Sequence, residues 1–400
     1  MSKTYNKKTY KGDVLYCELR DQIDIYFTNG RDPVYKTWYK KKSSKGRRLI
    51  CEPDIELRKL QKGILKVFDD INIYERLSKS CLGFMPKKSI ADNAMTHRRL
   101  MFGKEIEEHP FRDSDTRTVY GKSCSFYKNR LTAKEARAVK MDFKDAFNNI
   151  SAKLIREGLK EITNFSEADI KRILKVSMRK GSLPQGAHTS PVLQNVAFNV
   201  FDNYLRAILV NKIYVKYGVK FCYTRFADDI VLSIGKAGVI HKMIPIIESV
   251  AKMFGLKINH KKTLIMSAKN GIFITGINVI NSSTHLCVSR NYRNQVRSLI
   301  HKTSLLEKNS IEYEKSIQRI RGKILHVLSV DKSHGIKLWQ YATTRGVLTG
   351  KEKIANTQLN KETLQGNDLV IHERLKEYTK KKKYEHDENS KTGNELYSLY

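Results

Sequence analysis

The sequence predicts an α+β protein, and three patterns carry that prediction. Two short runs of alternating apolar residues, 221–225 and 230–234, flank the polar tip at 227–229 and are typical of a strand, a turn and a second strand. Apolar residues at helical spacing over 55–78 and 193–208 indicate amphipathic helices. The chain has 400 residues, of which 40% are hydrophobic, so it is long enough to bury a large core.

The turn between the two strands carries adjacent carboxylates, Asp228 and Asp229. Because adjacent carboxylates repel, we expect a cation between them and a third acid. Asp142 is available for this role, since the run 139–147 begins as a short apolar strand and ends on a carboxylate. The set suits two Mg²⁺ ions, with Mn²⁺ as a substitute, about 3.5–4 Å apart for in-line nucleotidyl transfer. The alternative is that the pair only supplies turn residues.

The charge of the chain predicts a polyanionic partner. Lys and Arg number 75 against 41 Asp and Glu, which gives a formal net charge of +34. Nucleic acid is the leading candidate, although ribosomal and membrane-surface proteins are also this basic. No apolar run reaches the roughly 18 residues that span a bilayer, and the N-terminus lacks the apolar core of a signal peptide. We therefore expect a soluble cytoplasmic protein without a membrane partner.

The N-terminal third contains two candidate contacts with nucleotides or nucleic acid. The basic run 40–48 includes Gly46 and lies between strand-like residues, so it can fold over a triphosphate, or it can be a solvated hairpin loop. His97 lies on a second predicted helix, where it either touches a template backbone or packs in the core. Residues 101–135 are polar and irregular, which indicates a surface insertion and a candidate oligomer contact.

Helix-start signals recur in the middle of the chain. Ser166 opens a capping-box pattern before a helix that is predicted to run to about Arg179. The turn-rich segment 181–191 includes Gly186, which permits close backbone approach, and ends at Ser190-Pro191, a strong helix start.

The region after the strands is basic and helical. Over 285–345, four cations recur at roughly helical spacing between apolar residues, so one face can pack while the other follows a phosphate backbone. A solvated helix is the alternative. The candidate nucleic-acid-binding residues are Arg290, Arg293, Arg297 and Lys302. Residues 350–400 lose apolar periodicity and predict a basic, partly disordered RNA-binding arm.

Four motifs in order resemble those of reverse transcriptases: 142–147, 184–191, 226–229 and 255–263. Within that superfamily the chain is most similar to bacterial retron-type and defence-associated enzymes. The shared pairs and residues are Leu60-Gln61, Gly83-Phe84, Ser89-Ile90, Asn93-Ala94, His97, Thr275-Gly276 and Arg321-Gly322. The chain departs from the retron pattern at Phe226, where Tyr is usual, and at His188, where Pro is usual.

The resemblance implies a right-hand polymerase fold with fingers, a palm of antiparallel sheet plus helices, and a helical thumb. Fingers and palm would occupy 1–280, with the insertion at about 101–135. The thumb would occupy 281–350, and a basic C-terminal extension 351–400.

The resemblance also assigns roles to single residues. It implies that Asp142, Asp228 and Asp229 bind the catalytic metals and that the backbone carbonyl of Phe143 completes one coordination shell. Lys262, with Lys261 as the alternative, is a candidate general acid toward pyrophosphate. The implied nucleotide-binding residues are Arg47, Lys41 (as one of Lys40 to Lys42), Phe147 as a steric gate against the ribose 2′-hydroxyl, Gln185 and Phe143.

The implied function is RNA-directed DNA polymerisation in bacterial antiphage defence. The template would be a cognate structured non-coding RNA, and the other partners would be its DNA product, dNTPs, and a homo-oligomer or effector protein. The alternatives are an RNA-binding module with an idle polymerase site, and a polymerase that is template-independent or makes RNA.

Overall fold

A computed structural model describes residues 13–41, 46–102, 135–280, 286–308 and 310–348. The chain divides into two compact units, Met1–Leu286 and Cys287–Tyr400. The predicted insertion at 101–135, apart from residues 101, 102 and 135, lies outside the described residues, as does the predicted extension at 351–400.

The first unit begins with helices around a two-stranded hairpin. In chain order these elements are α1 (Cys17–Tyr26), β1 (Tyr35–Lys41), β2 (Arg47–Pro53), α2 (Ile55–Asp70), α3 (Ile73–Arg76) and α4 (Ile90–Phe102). β1 and β2 pair antiparallel, with Lys41 opposite Arg47 at the loop end of the hairpin. The strands predicted on both sides of the basic run are confirmed, and residues 42–45 between them lie outside the described residues.

The helix predicted over 55–78 is shorter than the apolar spacing indicated. The Asp54 side chain accepts a hydrogen bond from Leu57 N–H and caps the start of α2, which then ends at Asp70. Asn72 has φ +53°, a left-handed conformation that interrupts the helix before α3. Ile55, expected in the apolar stripe, is 71% exposed because it lies in the first turn, on the side away from the core.

A four-stranded antiparallel sheet lies at the centre of the first unit. Its strands are β3 (Arg137–Asp142), β4 (Phe221–Phe226), β5 (Asp229–Ile234) and β6 (Leu264–Ser267), in the order β4-β5-β3-β6. β4 and β5 form the predicted strand-turn-strand, and β3 pairs with β5 so that Asp142 lies opposite Asp229. The register therefore gathers the acids at one end of the sheet.

Helices cover this sheet. They are α5 (Ala146–Asn149), α6 (Ala152–Ile162), α7 (Glu167–Ser177), α8 (Ser190–Leu209) and α9 (Ile240–Met253). Ser166 caps α7 by accepting a hydrogen bond from Asp169 N–H, which confirms the predicted start. Pro191 lies in the first turn of α8, as the start signal indicated. Phe198 and Phe201 of α8 pack in the main core against Phe143.

A short hairpin follows the sheet, made of β7 (Phe273–Ile274) and β8 (Ile277–Asn278). The second unit contains β9 (Cys287–Val288) and the helices α10 (Arg290–Ser304), α11 (Ile311–Val330) and α12 (Lys332–Thr344). Its own core includes Val296, Ile300, Ile320, Ile324 and Leu338.

Candidate active site

Three carboxylates meet at one end of the central sheet. Asp142 ends β3, Asp229 begins β5, and Asp228 lies in the tight turn between β4 and β5. Asp142 and Asp229 are direct cross-strand partners, so their side chains leave the same face of the sheet. The Phe143 N–H donates to the Asp228 carbonyl at 3.0 Å, which ties the end of β3 to the turn. The sheet register thus brings all three acids together.

Two lysines contact these acids. Lys140 Nζ lies 2.8 Å from Asp229 Oδ2, and Lys262 Nζ lies 2.9 Å from Asp142 Oδ2. Lys140 precedes Asp142 by two positions in β3 and therefore shares its face of the sheet. Lys262 ends the short 3₁₀ helix His260–Lys262, and its side chain is 60% exposed. Of the two adjacent lysines considered as general acid, Lys262 is the one that contacts Asp142.

Asn259 holds Asp142 from the same loop as Lys262. Its N–H donates to the Asp142 carbonyl at 2.7 Å, and its side-chain amide lies 3.4 Å from Asp142 Oδ2. Neither Asn259 nor Lys140 was singled out from the sequence. The alternation of β3 places Lys140 on the same face as Asp142, and the motif at 255–263 contains Asn259, so each residue had a signal in the sequence.

The electrostatics of Asp228 reflect this crowding. Burial raises the pKa of its carboxyl group, and the negative charges of Asp142 and Asp229 raise it further. The pKa of Lys262 is also raised, chiefly by its hydrogen bond to Asp142. The site therefore disfavours additional negative charge and favours cations.

The donor set fits Mg²⁺ in its chemistry, since carboxylate and backbone carbonyl oxygens are the ligands that this ion prefers. A divalent cation would relieve the repulsion that raises the pKa of Asp228. Within the described ranges, no three His, Cys, Asp or Glu side chains are arranged to hold a metal ion as they stand. Asp142 and Asp229 each have one carboxylate oxygen in contact with a lysine ammonium group.

Phe143 and Phe147 follow Asp142 but differ in exposure. The Phe143 ring is buried, with its centroid 4.7 Å from that of Phe198, so only its backbone can face the acids. Phe147 is half-buried in α5, and its ring centroid lies 6.4 Å from that of Phe84. Leu183 N–H donates to the Phe147 carbonyl at 3.1 Å, which joins α5 to the segment that precedes α8.

The predicted nucleotide-binding residues outside the acid motif lie on or beside the β1-β2 hairpin. Lys41 and Arg47 are exposed cross-strand partners at its loop end. The Gln185 carbonyl accepts a hydrogen bond of 2.7 Å from Cys51 N–H of β2, so this loop is fixed to the same hairpin. Gly186 has φ +112°, and a Cβ there would lie 2.9 Å from the Cys51 carbonyl oxygen. The close approach predicted at Gly186 is therefore to β2.

His97 is a core residue, so the alternative in which it touches a template is wrong. Its side chain is fully buried, with Nδ1 and Nε2 each 2.7 Å from the hydroxyls of Ser233 and Thr224, respectively. Burial lowers the pKa of His97 to about 3, so the ring is neutral at physiological pH.

The candidate nucleic-acid-binding residues of the second unit all lie on α10. Arg290, Arg297 and Lys302 are exposed, and the Arg297 guanidinium lies 4.7 Å from the Tyr341 ring centroid. Arg293 is half-buried, and its Nε has no hydrogen-bond partner among the described residues.

The described part of the chain includes no helix that is long and apolar enough to cross a membrane.

Comparisons with known proteins identify the family of this chain. Residues 39–279 match the reverse transcriptase (RNA-dependent DNA polymerase) family. The chain is 29% identical over 314 residues to the retron Ec86 reverse transcriptase of Escherichia coli, covering 78% of this chain and 80% of that protein. It is 24% identical over 316 residues to the retron Ec73 reverse transcriptase of Escherichia coli, covering 76% and 85%.

Among solved structures, telomerase from Candida albicans in complex with the TWJ fragment of telomeric RNA aligns with a TM-score of 0.42 and 13% identity. The alignment covers 80% of this chain and 61% of that one, so this chain spans less than two thirds of the telomerase chain. The chain belongs to the reverse transcriptase family and is a retron-type RNA-directed DNA polymerase with the right-hand fold.

Proposed function

We propose that this enzyme copies a cognate structured non-coding RNA into DNA by two-metal nucleotidyl transfer, in bacterial antiphage defence. The observation that carries the mechanism is the register of β3 against β5, which sets Asp142 opposite Asp229 and next to Asp228. Asp142, Asp228, Asp229 and the Phe143 carbonyl would hold the metals, for which Mg²⁺ is the natural choice. Bound there, the ions would supply activation of the primer hydroxyl and charge neutralisation at the phosphates.

Lys262 would donate the proton that the leaving pyrophosphate accepts. In the reaction the primer hydroxyl loses its proton and bonds to the α-phosphorus, and the bond to pyrophosphate breaks. Protonation lowers the charge of the leaving group in the transition state. The position of Lys262 supports this role, because its ammonium group lies 2.9 Å from Asp142 at the end of the sheet that carries the acids.

The other residues would bind and select the nucleotide. Lys41 and Arg47 would hold the triphosphate from the loop end of the β1-β2 hairpin, where both are exposed. Gln185 would support the nucleotide or template base from the loop that is bonded to β2. Phe147 would exclude the ribose 2′-hydroxyl, which makes dNTPs the substrates.

A nucleic-acid template and product account for the charge of the chain. A net charge of +34 supports neutralisation of many phosphates, and Arg290, Arg293, Arg297 and Lys302 would contribute from the thumb helix α10. We assign fingers and palm to 1–280, the thumb to 281–350 and a basic extension to 351–400. The enzyme would act in the cytoplasm, with a homo-oligomer or an effector protein as further partner.

The proposal is tested by purifying the protein after co-expression with its genomic neighbourhood and sequencing the nucleic acid that it binds. DNA products made with Mg²⁺ and dNTPs are compared between the wild type and the double variant Asp228→Ala/Asp229→Ala. We expect one discrete RNA, and DNA complementary to it that the double variant does not make. Lys261→Ala, at the exposed lysine next to Lys262, is the control and should keep the product.

Three other results would contradict the proposal or part of it. The same RNA without any DNA during phage infection would indicate an RNA-binding role with an idle polymerase site. DNA unrelated to the bound RNA would indicate template-independent synthesis. Loss of the product without loss of phage resistance in the double variant would separate the polymerase from the defence role.

A further inference from the structure

A buried ion pair lies directly behind the turn that carries Asp228 and Asp229. Arg225 belongs to β4 and Asp202 to α8, and both side chains are 0% exposed. Arg225 Nε lies 3.0 and 3.1 Å from the two carboxylate oxygens of Asp202. The Tyr223 hydroxyl donates to the same carboxylate at 2.6 Å.

Stability alone is a poor reason for such a pair. Taking two charges out of water is unfavourable, and apolar residues of similar volume in place of a buried ion pair are often equally stable or more so. A guanidinium group, however, presents five donors in a rigid planar arrangement, which no apolar side chain can replace. What Arg225 contacts besides Asp202 is therefore informative.

One further nitrogen of Arg225 reaches the turn itself. Its Nη1 donates to the Ala227 carbonyl at 2.9 Å and to Asn195 Oδ1 at 3.1 Å. Ala227 has φ +58°, a left-handed conformation that non-glycine residues rarely adopt. The Ala227 carbonyl shares a peptide plane with the Asp228 N–H, so a bond to that oxygen sets the orientation from which Asp228 leaves the turn.

The backbone before α4 encloses the turn from the other side. Arg225 N–H donates to the Ser80 carbonyl at 2.7 Å, and Leu82 N–H donates to the Arg225 carbonyl at 2.9 Å. The Asn195 side-chain amide donates to the Gly83 carbonyl at 2.8 Å. A Cβ on Gly83 would lie only 2.1 Å from Ala227 N, so the two segments are in direct contact. Asn195 thus links Arg225 to this segment.

We propose that Arg225 is a positioning residue for polymerisation, which holds the Ala227 carbonyl and thereby orients Asp228. In this arrangement Asp202 and Asn195 hold the guanidinium in place from α8, and the segment Ser80–Gly83 closes the space around the turn. The inference rests on the catalytic role proposed for Asp228. The inference gives the buried pair of Arg225 and Asp202 a role in the rate of polymerisation, separate from its role in folding.

The test replaces the ion pair and the tyrosine hydroxyl by apolar groups of similar size, in the triple variant Tyr223→Phe/Asp202→Leu/Arg225→Met of the full chain. Melting temperature is measured first, and then single-turnover dNTP incorporation on a primed RNA template with Mg²⁺. We expect the variant to fold, because no buried charge is left unpaired, with a lower melting temperature than the wild type, because the Ala227 carbonyl and Asn195 Oδ1 lose their donor. We expect the rate to fall by about 100-fold, as a small misplacement of a catalytic group can produce. The dNTP concentration for half-maximal rate should change by less than about 3-fold.

Asn195→Leu is the second variant and decides the question if the triple variant does not fold. It removes the link between Arg225 and Gly83 at nearly constant volume, and we expect a rate loss of about 10-fold. Gln194→Met is the matched control. Gln194 is the preceding residue of α8 and is fully buried, and its side-chain amide has no hydrogen-bond partner among the described residues. Wild-type rates in a folded triple variant, or equal rates in Asn195→Leu and Gln194→Met, would overturn the proposal.

Asp228→Asn separates this inference from the one on which it rests. An active Asp228→Asn enzyme would refute the catalytic role of Asp228, and the positioning proposal with it. An inactive Asp228→Asn enzyme together with a fully active, folded triple variant would refute only the role of Arg225.

Discussion

The ammonium group of Lys262 lies 2.9 Å from the carboxylate of Asp142, although 119 residues separate them in the chain. The contact joins the loop after α9 to the end of β3. It raises the pKa of Lys262 and gives one carboxylate a cationic partner within the chain. Lysine side chains therefore neutralise part of the negative charge at the end of the sheet that carries the three acids. The first two predictions concern these lysines.

Lys262→Arg should slow the chemical step by about 100-fold, because arginine keeps the positive charge but does not release a proton at accessible pH. The measurement is the single-turnover rate of dNTP incorporation at saturating dNTP. Lys261→Arg is the matched control, with an expected change of less than about 2-fold. Equal losses in the two variants would mean that Lys262 acts only as a surface charge.

Lys140→Met should lower the Mg²⁺ concentration that gives half-maximal rate by about 3–10-fold. Lys140 lies 2.8 Å from Asp229, and removing its charge leaves a more negative site for a divalent cation. A Mg²⁺ titration of activity measures this change. Lys153→Met, at an exposed lysine of α6, should leave the titration unchanged. A higher Mg²⁺ requirement in Lys140→Met would show that Lys140 assists metal binding instead.

Asp228→Asn should raise the melting temperature at pH 7 in EDTA, by about 2 °C or more. The pKa of Asp228 is raised in the folded protein, so the folded state binds its proton more tightly than the unfolded state does. Ionisation of Asp228 therefore destabilises the folded protein. This destabilisation has its full size at pH values above the pKa of Asp228 in the folded state, and it disappears below the pKa of about 3.9 in the unfolded state. The gain in Asp228→Asn should shrink as the pH falls toward 4. A gain that is independent of pH would exclude ionisation as its cause.

Phe147→Ala should increase the efficiency of ribonucleotide incorporation relative to dNTPs by about 100-fold. The smaller side chain would admit a 2′-hydroxyl, and a steric contact of this size discriminates by about that factor. Relative kcat/KM values for dNTP and rNTP measure the change. Phe84→Ala removes the ring whose centroid lies 6.4 Å from that of Phe147, and it should leave the ratio nearly unchanged. An unchanged ratio in Phe147→Ala would refute the steric gate.

His97→Leu should destabilise the fold by about 3 kcal/mol, measured by chemical unfolding. The Thr224 hydroxyl donates to Asn93 Oδ1, so it accepts from His97 Nε2–H, and the Ser233 hydroxyl donates to Nδ1. Leucine leaves both hydroxyls without this partner in a buried site. His241→Leu, at an exposed histidine of α9, should change the stability by less than about 0.5 kcal/mol. A similar change in both variants would contradict the core role of His97.

Local patterns in the sequence were sufficient for the elements that carry the acids. The alternation on both sides of Asp228 predicted β4 and β5, and the start signals at Ser166 and Pro191 predicted the helices that begin there. The run that ends at Asp142 predicted β3. These features follow from the sequence because strand alternation, helix capping and turn chemistry depend on residues within a few positions of one another.

Contacts between distant residues were decided only by the tertiary structure. The meeting of Lys262 with Asp142, the bond from Arg225 to Asp202, and the burial of His97 join segments that lie far apart in the chain. No local pattern specifies them, because they depend on strand register and on how α8 and α4 pack on the sheet. The sequence by itself determined the local elements and indicated the candidate residues for the chemistry. The packing determined which lysine contacts Asp142, which carboxylate pairs with Arg225 and that His97 is buried, since those contacts arise only when the sheet is assembled.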